Sequence, residues 1–598
     1  MQNSPQPNRE GPYGALPGFI AVHRDESGLA RVPGPHEGVT TTAHGAATLA
    51  TWGLAAPGPS TQTMALSSVI RTGRGAVAPE EICEGMRDNP QGLTRLLPPF
   101  AAVRGDAHGV TMVADAMGFR QLYHSSPDSA GAHVLSTSAL LAGWHRGADV
   151  DHTAVAVQSL LGWQLGQRTL LCGVEKLAPG ATARLDANGV QASAPERVGA
   201  VGIGLDEAVI AAADLLRASL EALLDDHPDA VLQLTGGQDS RLLLSAIPLA
   251  RRRGLRAMTL GVPGGGDVTV ARQLAERYGL RHEVHGFEGL DGLGAAEAWA
   301  LVTRAAMRLD GMADPIALAA LTVAESGFDQ GVRISGLGGE VARGFYYVGG
   351  VQARAFSRKD AEQLAAWRMF VNDSVEPGLL EPEFAAWARM TADNEVVSAL
   401  SSAGDEWFQA TDELYLRHRM QRWAGVTDTA VGSERVIINP MLAAEFLGIA
   451  TRLAPADKAH SLFLARLQME LDPDLGRIPL EGRAAPVTAA YPTPWRSAAS
   501  AVGAGQRLAR KAVQRIRHGN RSPAGAVVLA AKIVEHWRRH PELLAATSLS
   551  PFVRPGWIDG VIDGHLEPKP SSVAFLTNLI VASAAHVPQG GRADARET

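Results

Sequence analysis

Cysteine is almost absent: Cys83 and Cys172 are the only two among 598 residues. Two thiols are too few for a disulfide framework or a cysteine-built zinc site. Long apolar runs are missing too. No stretch approaches the length that spans a bilayer, and the opening Met1-Gln-Asn-Ser-Pro-Gln-Pro-Asn-Arg9 has no apolar signal-peptide core. A cytoplasmic protein with no membrane partner is the expectation. An excess of positive charge is also lacking, since 55 Lys and Arg against 62 Asp and Glu leave a net charge of −7. That withholds the broad attraction nucleic-acid binders rely on, so nucleic acid is disfavoured as a partner. The densest basic stretch, Arg507 to Arg521, reads as a solvated helix face. The 18 histidines show no metal-ligand spacing.

What is present is an ordinary globular balance, 46% hydrophobic and 20% charged, on a chain too long for one core. Residues 16–200 read as short strands between Gly, Pro and Asp turns, for example Gly109–Asp115 and Ala181–Asp186. From residue 201 the character changes. Leu205 to Leu224 is patterned as an amphipathic helix, and strands then alternate with helices to about residue 500. Residues 501–588 read as a helical C-terminal part, and the ends 1–15 and 589–598 as disordered. The fold class expected is α/β and multi-domain: an α+β sandwich, then a doubly wound parallel sheet.

One segment carries the chemistry. Val231-Leu-Gln-Leu-Thr-Gly-Gly-Gln-Asp-Ser240 is a short apolar run that breaks into a glycine turn, and Arg241-Leu-Leu-Leu-Ser-Ala-Ile247 resumes as a helix. Gly236 and Gly237 allow close approach of the backbone to a ligand, and the helix start adds positive potential. Leu234, Thr235, Gly236, Gly237, Gln238, Asp239 and Ser240 are the candidate phosphate-binding residues. A carboxylate at Asp239, beside a phosphate site, makes sense as a ligand of phosphate-bound Mg2+. The Walker pattern is absent. A second strand, Ala257 to Val262, carries near its carboxyl end Leu260 and Gly261, whose backbone atoms are placed to meet adenine, with Asp267 close by. A third, Val332-Arg-Ile-Ser-Gly-Leu-Gly-Gly-Glu-Val341, brings Ser335 and Gly336 to the nucleotide and Glu340 as the second metal carboxylate. The aromatics Phe345-Tyr-Tyr347 read equally as a lid or as core packing.

The Thr-Gly-Gly-x-Asp-Ser loop resembles the pyrophosphate loop of the ATP pyrophosphatase superfamily, with Thr235 in place of the first Ser. Together with Ser335-Gly-Leu-Gly-Gly-Glu-Val341 it resembles the synthetase domain of the asparagine synthetase family, which includes β-lactam synthetase and the lasso-peptide macrolactam cyclases. Ser433-Glu-Arg435 and Asn439-Pro-Met-Leu442 echo a later family stretch distantly. Pro99 to Val103, Val113 to Tyr123 and Leu170 to Gly180 are similar to parts of its N-terminal glutaminase-type (Ntn-like) domain. The resemblance spans roughly residues 15–490 and is strong around 231–283 and 332–346. It implies an AMP-forming, ATP- and Mg2+-dependent carbon–nitrogen ligase. It also departs from the family at three places. The family's N-terminal cysteine nucleophile is missing, because position 2 is Gln. The catalytic Glu or Tyr of the second motif is Leu337, which moves no proton. The family lysine near residues 475–485 is missing, leaving Arg477 or Arg483 to balance pyrophosphate, with Arg477 the candidate catalytic residue.

The function expected is adenylation of a small-molecule or peptide carboxylate and its capture by an amine, intramolecular as in lactam or macrolactam formation in a biosynthetic pathway. Leader-peptide-processing proteins are the partners this implies. Ammonia-dependent asparagine synthesis, a tRNA-adenylating enzyme and a catalytically degenerate ATP-binding scaffold are the alternatives. With no N-terminal thiolate, the first domain is expected to leave glutamine intact. Gln2→Ala and Cys83→Ala should leave product formation unchanged. An assay of glutamate release from glutamine checks this, with none expected from the wild type.

Overall fold

The computed structural model describes residues 16–23, 38–54, 62–126, 132–194, 201–261, 264–329, 331–347, 350–432, 434–492, 525–545 and 549–584. The expected disordered ends 1–15 and 589–598, the basic stretch Arg507–Arg521, and Gln2 and Ser433 lie outside those residues. The chain is a mixed α/β protein with two antiparallel sheets followed by a parallel one.

The first sheet runs in the order β2-β3-β1-β8-β7-β9, built from β1 (Gly18–His23), β2 (Val39–His44), β3 (Ala47–Trp52), β7 (Tyr123–Ser125), β8 (Val134–Ser136) and β9 (Val174–Lys176). The second runs β11-β10-β6-β5-β4, from β4 (Thr63–Ala65), β5 (Ala101–Asp106), β6 (Gly109–Ala114), β10 (Thr182–Asp186) and β11 (Gly189–Ser193). Side chains alternate across a strand, and β1 shows why both of its faces are apolar. Phe19 and Ala21 join Val103, Met112 and Leu185 between the two sheets. Ile20 and Val22 face the other way, into a helical layer with Leu141, Val302 and Leu576. On the far side, Ile82 and Met86 of the helix Pro79–Asp88 cover Ala102 and Val113 of the second sheet. The result is a helix–sheet–sheet–helix sandwich.

The parallel sheet has the order β14-β13-β12-β15-β16, from β12 (Val231–Gln233), β13 (Arg256–Leu260), β14 (Arg281–His285), β15 (Val332–Ile334) and β16 (Val436–Ile438). Every neighbouring pair is parallel. The chain builds outward from β12 to β14, then returns to β12's other edge with β15. The strand order therefore reverses between β12 and β15, and the crevice outside their carboxyl ends is where ligands of such sheets bind. The helix Leu205–Asp226 buries Leu216, Leu220 and Leu223 in the core of this half.

The cores do not follow the sequence boundaries. Leu97, Phe119, Leu161 and Trp163 of the first 200 residues share the core of the parallel-sheet half. The helices Ala526–Arg539 and Pro570–Ala584 share one with Ile20, Tyr123 and the helix Ala295–Arg308. The described part of the C-terminal region is thus built into the body of the protein. A change in hydrophobic period marks where strands give way to helices; it carries no information on which faces share a core. Polar contacts tie the halves as well: buried Lys176 Nζ donates to Gln421 Oε1 at 2.8 Å, and buried Arg71 pairs with the exposed Asp226 at 2.8 Å. Among the described residues, no helix is long and apolar enough to cross a membrane.

Just beyond β16, Asn439 Nδ2 donates to Asp428 Oδ2 at 3.0 Å. Burial pushes the Asp428 carboxyl up to about 7, against the opposing effects of Asn439 and Arg333. A carboxyl raised above its unfolded value stabilises below the unfolded pKa, and that contribution is lost as pH rises through the folded one. Asp428→Asn should therefore flatten the fall of stability between about pH 4 and 7, by no more than about 1.4 kcal/mol per pH unit. Denaturation midpoints of both proteins across that range check the sign.

Candidate functional site

The first turn follows β12 directly. Leu234 is fully buried; its N–H donates to Met258 O at 2.8 Å and its carbonyl accepts from Thr259 Oγ1 at 2.7 Å. Its role is to seat the turn on β13. Thr235 N–H donates to Ser240 Oγ at 3.1 Å, the two hydroxyls lie 3.1 Å apart, and Gly237 N–H donates to Thr235 Oγ1 at 3.1 Å. These short polar residues knit the turn and open the helix Asp239–Ala246. The Thr235 and Gly237 amides are thus already engaged. Gly236 N–H donates to Asp267 Oδ1 at 2.9 Å, so a carboxylate sits where an anionic ligand was expected.

The second turn, Ser335 to Gly338 and the short helix Gly339–Arg343, leaves β15 and lies against the first. Ser335 N–H continues the sheet by donating to Ile438 O at 2.9 Å, and Leu337 N–H donates to Ser335 Oγ at 3.3 Å. The glycines here are dictated by contact. A Cβ on Gly336 would fall 2.7 Å from Ser240 N, and one on Gly339 would fall 2.2 Å from Asp239 Oδ1. Leu337 is half-buried against the central core, an apolar wall beside the turn.

This interlock brings Asp239 and Glu340 together. Arg343 Nη2 donates to Glu340 Oε1 at 2.9 Å and lies 3.4 Å from Asp239 Oδ2. Both carboxylates are largely buried, 16% and 20% exposed. Asp239 Oδ1 and Glu340 Oε2 are buried with no hydrogen-bond partner. Burial pushes the Asp239 carboxyl up to about 7; the Glu340 charge adds to this, while Arg343 and Arg483 oppose it. Burial alone would lower the Arg343 guanidinium, yet the two carboxylates hold it above its usual value. Tyr415 is raised by burial and by the Glu340 charge.

β13 ends at Leu260, and Gly261 follows it; Gly261 N–H donates to His285 O at 3.0 Å, so that amide extends the pairing of the sheet. Arg477 is not brought to the cluster. Its guanidinium is 61% exposed and pairs with Asp474 at 2.8 Å, because both close one turn of surface helix. Arg483 is the one whose charge acts on Asp239. Phe345, Tyr346 and Tyr347 form packing rather than a lid. Tyr346 is buried, Phe345 lies 4.5 Å from the Tyr415 ring, and Tyr347 donates to Asp412 at 2.8 Å.

Two residues of the site escaped the sequence reading. Arg343 lies three positions after Glu340, a spacing that places both on one side of a helical turn, and that was the signal available. Arg241, fully buried, donates from Nη1 to Ile478 O at 2.5 Å and from Nη2 to Pro479 O at 3.0 Å. It stitches the 478–483 segment over the first turn, where Glu481 N–H donates to Gly236 O at 3.0 Å. Nothing in the local sequence announces such a reach.

The donor set fits Mg2+, which uses one or two carboxylates and completes its shell with phosphate oxygens and water. Two carboxylate oxygens without donors are available, and no group of three or more His, Cys, Asp or Glu able to hold a metal occurs among the described residues. Asp239 and Glu340 would hold the ion.

No family model matches the chain, and no curated protein matches it. Solved structures similar to it include an allosteric regulatory enzyme of purine biosynthesis, at 10% identity and a TM-score of 0.18, over 45% of this chain and 59% of that one. Another is the B. subtilis glutamine phosphoribosylpyrophosphate amidotransferase complexed with ADP and GMP, at 11% identity and a TM-score of 0.18, over 45% and 60%. The chain thus spans less than two thirds of either structure's length. Likenesses at this TM-score carry no argument, and the functional reading rests on the site.

The interlock itself makes a prediction. Gly336→Ala must push apart two backbone segments and should destabilise by about 1–3 kcal/mol. Gly448→Ala, in the helix Ala444–Arg452 with nothing within 4 Å of its Cβ, should be neutral or stabilise by up to about 1 kcal/mol. Chemical denaturation of the two variants checks the contrast.

Proposed function

We propose that this chain is an ATP- and Mg2+-dependent ligase that adenylates a substrate carboxylate and joins it to an amine. The observation that carries the reading is the buried Asp239–Glu340 pair, with an unpartnered oxygen on each carboxylate, at the switch point of a parallel sheet. A pair of carboxylates left short of donors is costly unless a cation completes it.

In this reading the 234–240 turn, Ser335 and Gly336 surround the polyphosphate, and Leu260 and Gly261 border the base. Mg2+ supplies charge neutralisation on the phosphates when bound. A substrate carboxylate oxygen attacks the α-phosphorus, and the bond to the β-phosphate oxygen breaks and releases pyrophosphate. The amine nitrogen then attacks the acyl carbon, AMP leaves with the bonding pair, and the amine's proton passes to solvent water. Positioning and charge neutralisation supply most of the catalysis such a transfer needs. Leu337 provides an apolar wall and takes no part in the proton transfer, which separates the site from one built for aspartate. An amine carried on the substrate itself, giving a lactam or macrolactam, suits that wall best. Proteins that prepare a peptide substrate, removing its leader, are the partners this reading calls for.

A second reading, an ATP-binding scaffold, draws on one observation: the Gly236 and Gly237 amides are engaged by Asp267 and Thr235. Pyrophosphate exchange with a panel of carboxylic acids and precursor peptides separates the two, because a scaffold exchanges none. With an acid that supports exchange, Asp239→Asn and Glu340→Gln should each lower AMP formation by about 100-fold or more while the protein stays folded. Full turnover by either variant would remove that residue from the metal clamp.

A further inference from the structure

Arg343 is the only side chain that forms an ion pair with either carboxylate of the pair among the described residues. A single nitrogen, Nη2, faces both Asp239 Oδ2 and Glu340 Oε1. The guanidinium makes no other protein hydrogen bond among the described residues, and its side chain is 18% exposed. One paired guanidinium therefore serves two carboxylates, through one oxygen of each, while Arg483 acts on Asp239 only through its charge.

A divalent ion on the same carboxylates would stand within about 2.0–2.2 Å of their oxygens and bring twice the charge. It would also repel the guanidinium across a few ångströms of partly desolvated space, where such repulsion is far stronger than in water. Full occupancy by both cations is thus unfavourable. The long arginine stem gives the guanidinium somewhere to go, and its unengaged N–H groups give it something to hold.

We infer that Arg343 is a displaceable stand-in for the divalent ion: it partly offsets Asp239 and Glu340 in the metal-free protein and is exchanged for the metal on loading. This rests on the reading of the pair as a metal clamp. The freed guanidinium stays beside the clamp as a cation for the anionic groups that arrive with the metal. The metal-free protein is then a resting state in which Arg343 offsets part of the carboxylates' charge, and it resists metal on its own.

Mn2+ binding to the purified full chain without nucleotide, read by electron paramagnetic resonance, tests this. Arg343→Met and Arg343→Gln should bind Mn2+ about tenfold tighter or more than wild type, and Asp239→Asn in the same background should abolish the gain. Arg343→Lys keeps the charge and should stay within about threefold of wild type. Equal or weaker binding by folded Met and Gln variants overturns the inference, as does a gain that survives Asp239→Asn. Should those variants fail to fold, the wild type still decides: Mn2+ should increase modification of Arg343 by an arginine-selective dicarbonyl, read by mass spectrometry, and no change overturns the inference. The two levels separate cleanly. Tighter Mn2+ binding in a protein that makes no AMP with any acid sinks the ligase reading alone. AMP formation with unchanged Mn2+ affinity in Arg343→Met sinks the exchange alone.

Discussion

Two carboxylates forced together in a largely buried crevice are the constraint on which the rest of this structure depends. Like charges at such a distance raise each other's energy, and burial removes the water that would screen them. The raised Asp239 carboxyl expresses that cost. Arg343 offsets part of it and leaves one oxygen of each carboxylate without a donor. In the proposed reading a divalent cation would complete the arrangement and suit its charge.

The surroundings hold the pair in place by packing. Gly336 and Gly339 exist because the second turn presses on the backbone and carboxylate of the first. Arg241 spends its buried guanidinium on two carbonyls of the 478–483 segment, which fixes that segment over the first turn and keeps Arg483 near Asp239. The parallel sheet positions both turns at its point of reversal, and the shared cores fasten the antiparallel sandwich and the described C-terminal helices to that body. Each layer of the molecule thereby limits how far the two turns can separate.

Much of this was legible in the residues. The strand–turn–helix at 231–246, the helix from Leu205 and the second glycine turn after Ile334 all announce themselves through period, glycine placement and short polar residues. Those are local signals, and local structure answers to them. What stayed hidden depends on distance in the chain. The sequence offers both Arg477 and Arg483 and points to Arg477; the turn at Gly482, with φ of +58°, carries Arg483 toward Asp239 while Arg477 closes a surface helix with Asp474. The engagement of Gly236 N–H by Asp267, 31 residues on, depends on how the next helix docks. The C-terminal helices look like an extension because nothing in their own pattern names the sheet face they cover.

The most direct measurement is a crystal structure of the full chain with Mg2+ and a non-hydrolysable ATP analogue. The account predicts the polyphosphate in the 234–240 turn and a metal ion about 2.0–2.2 Å from an oxygen of Asp239 and one of Glu340, with Arg343 turned away from both. A nucleotide bound elsewhere, or bound here with Arg343 still clamping the two carboxylates and no metal between them, would contradict it.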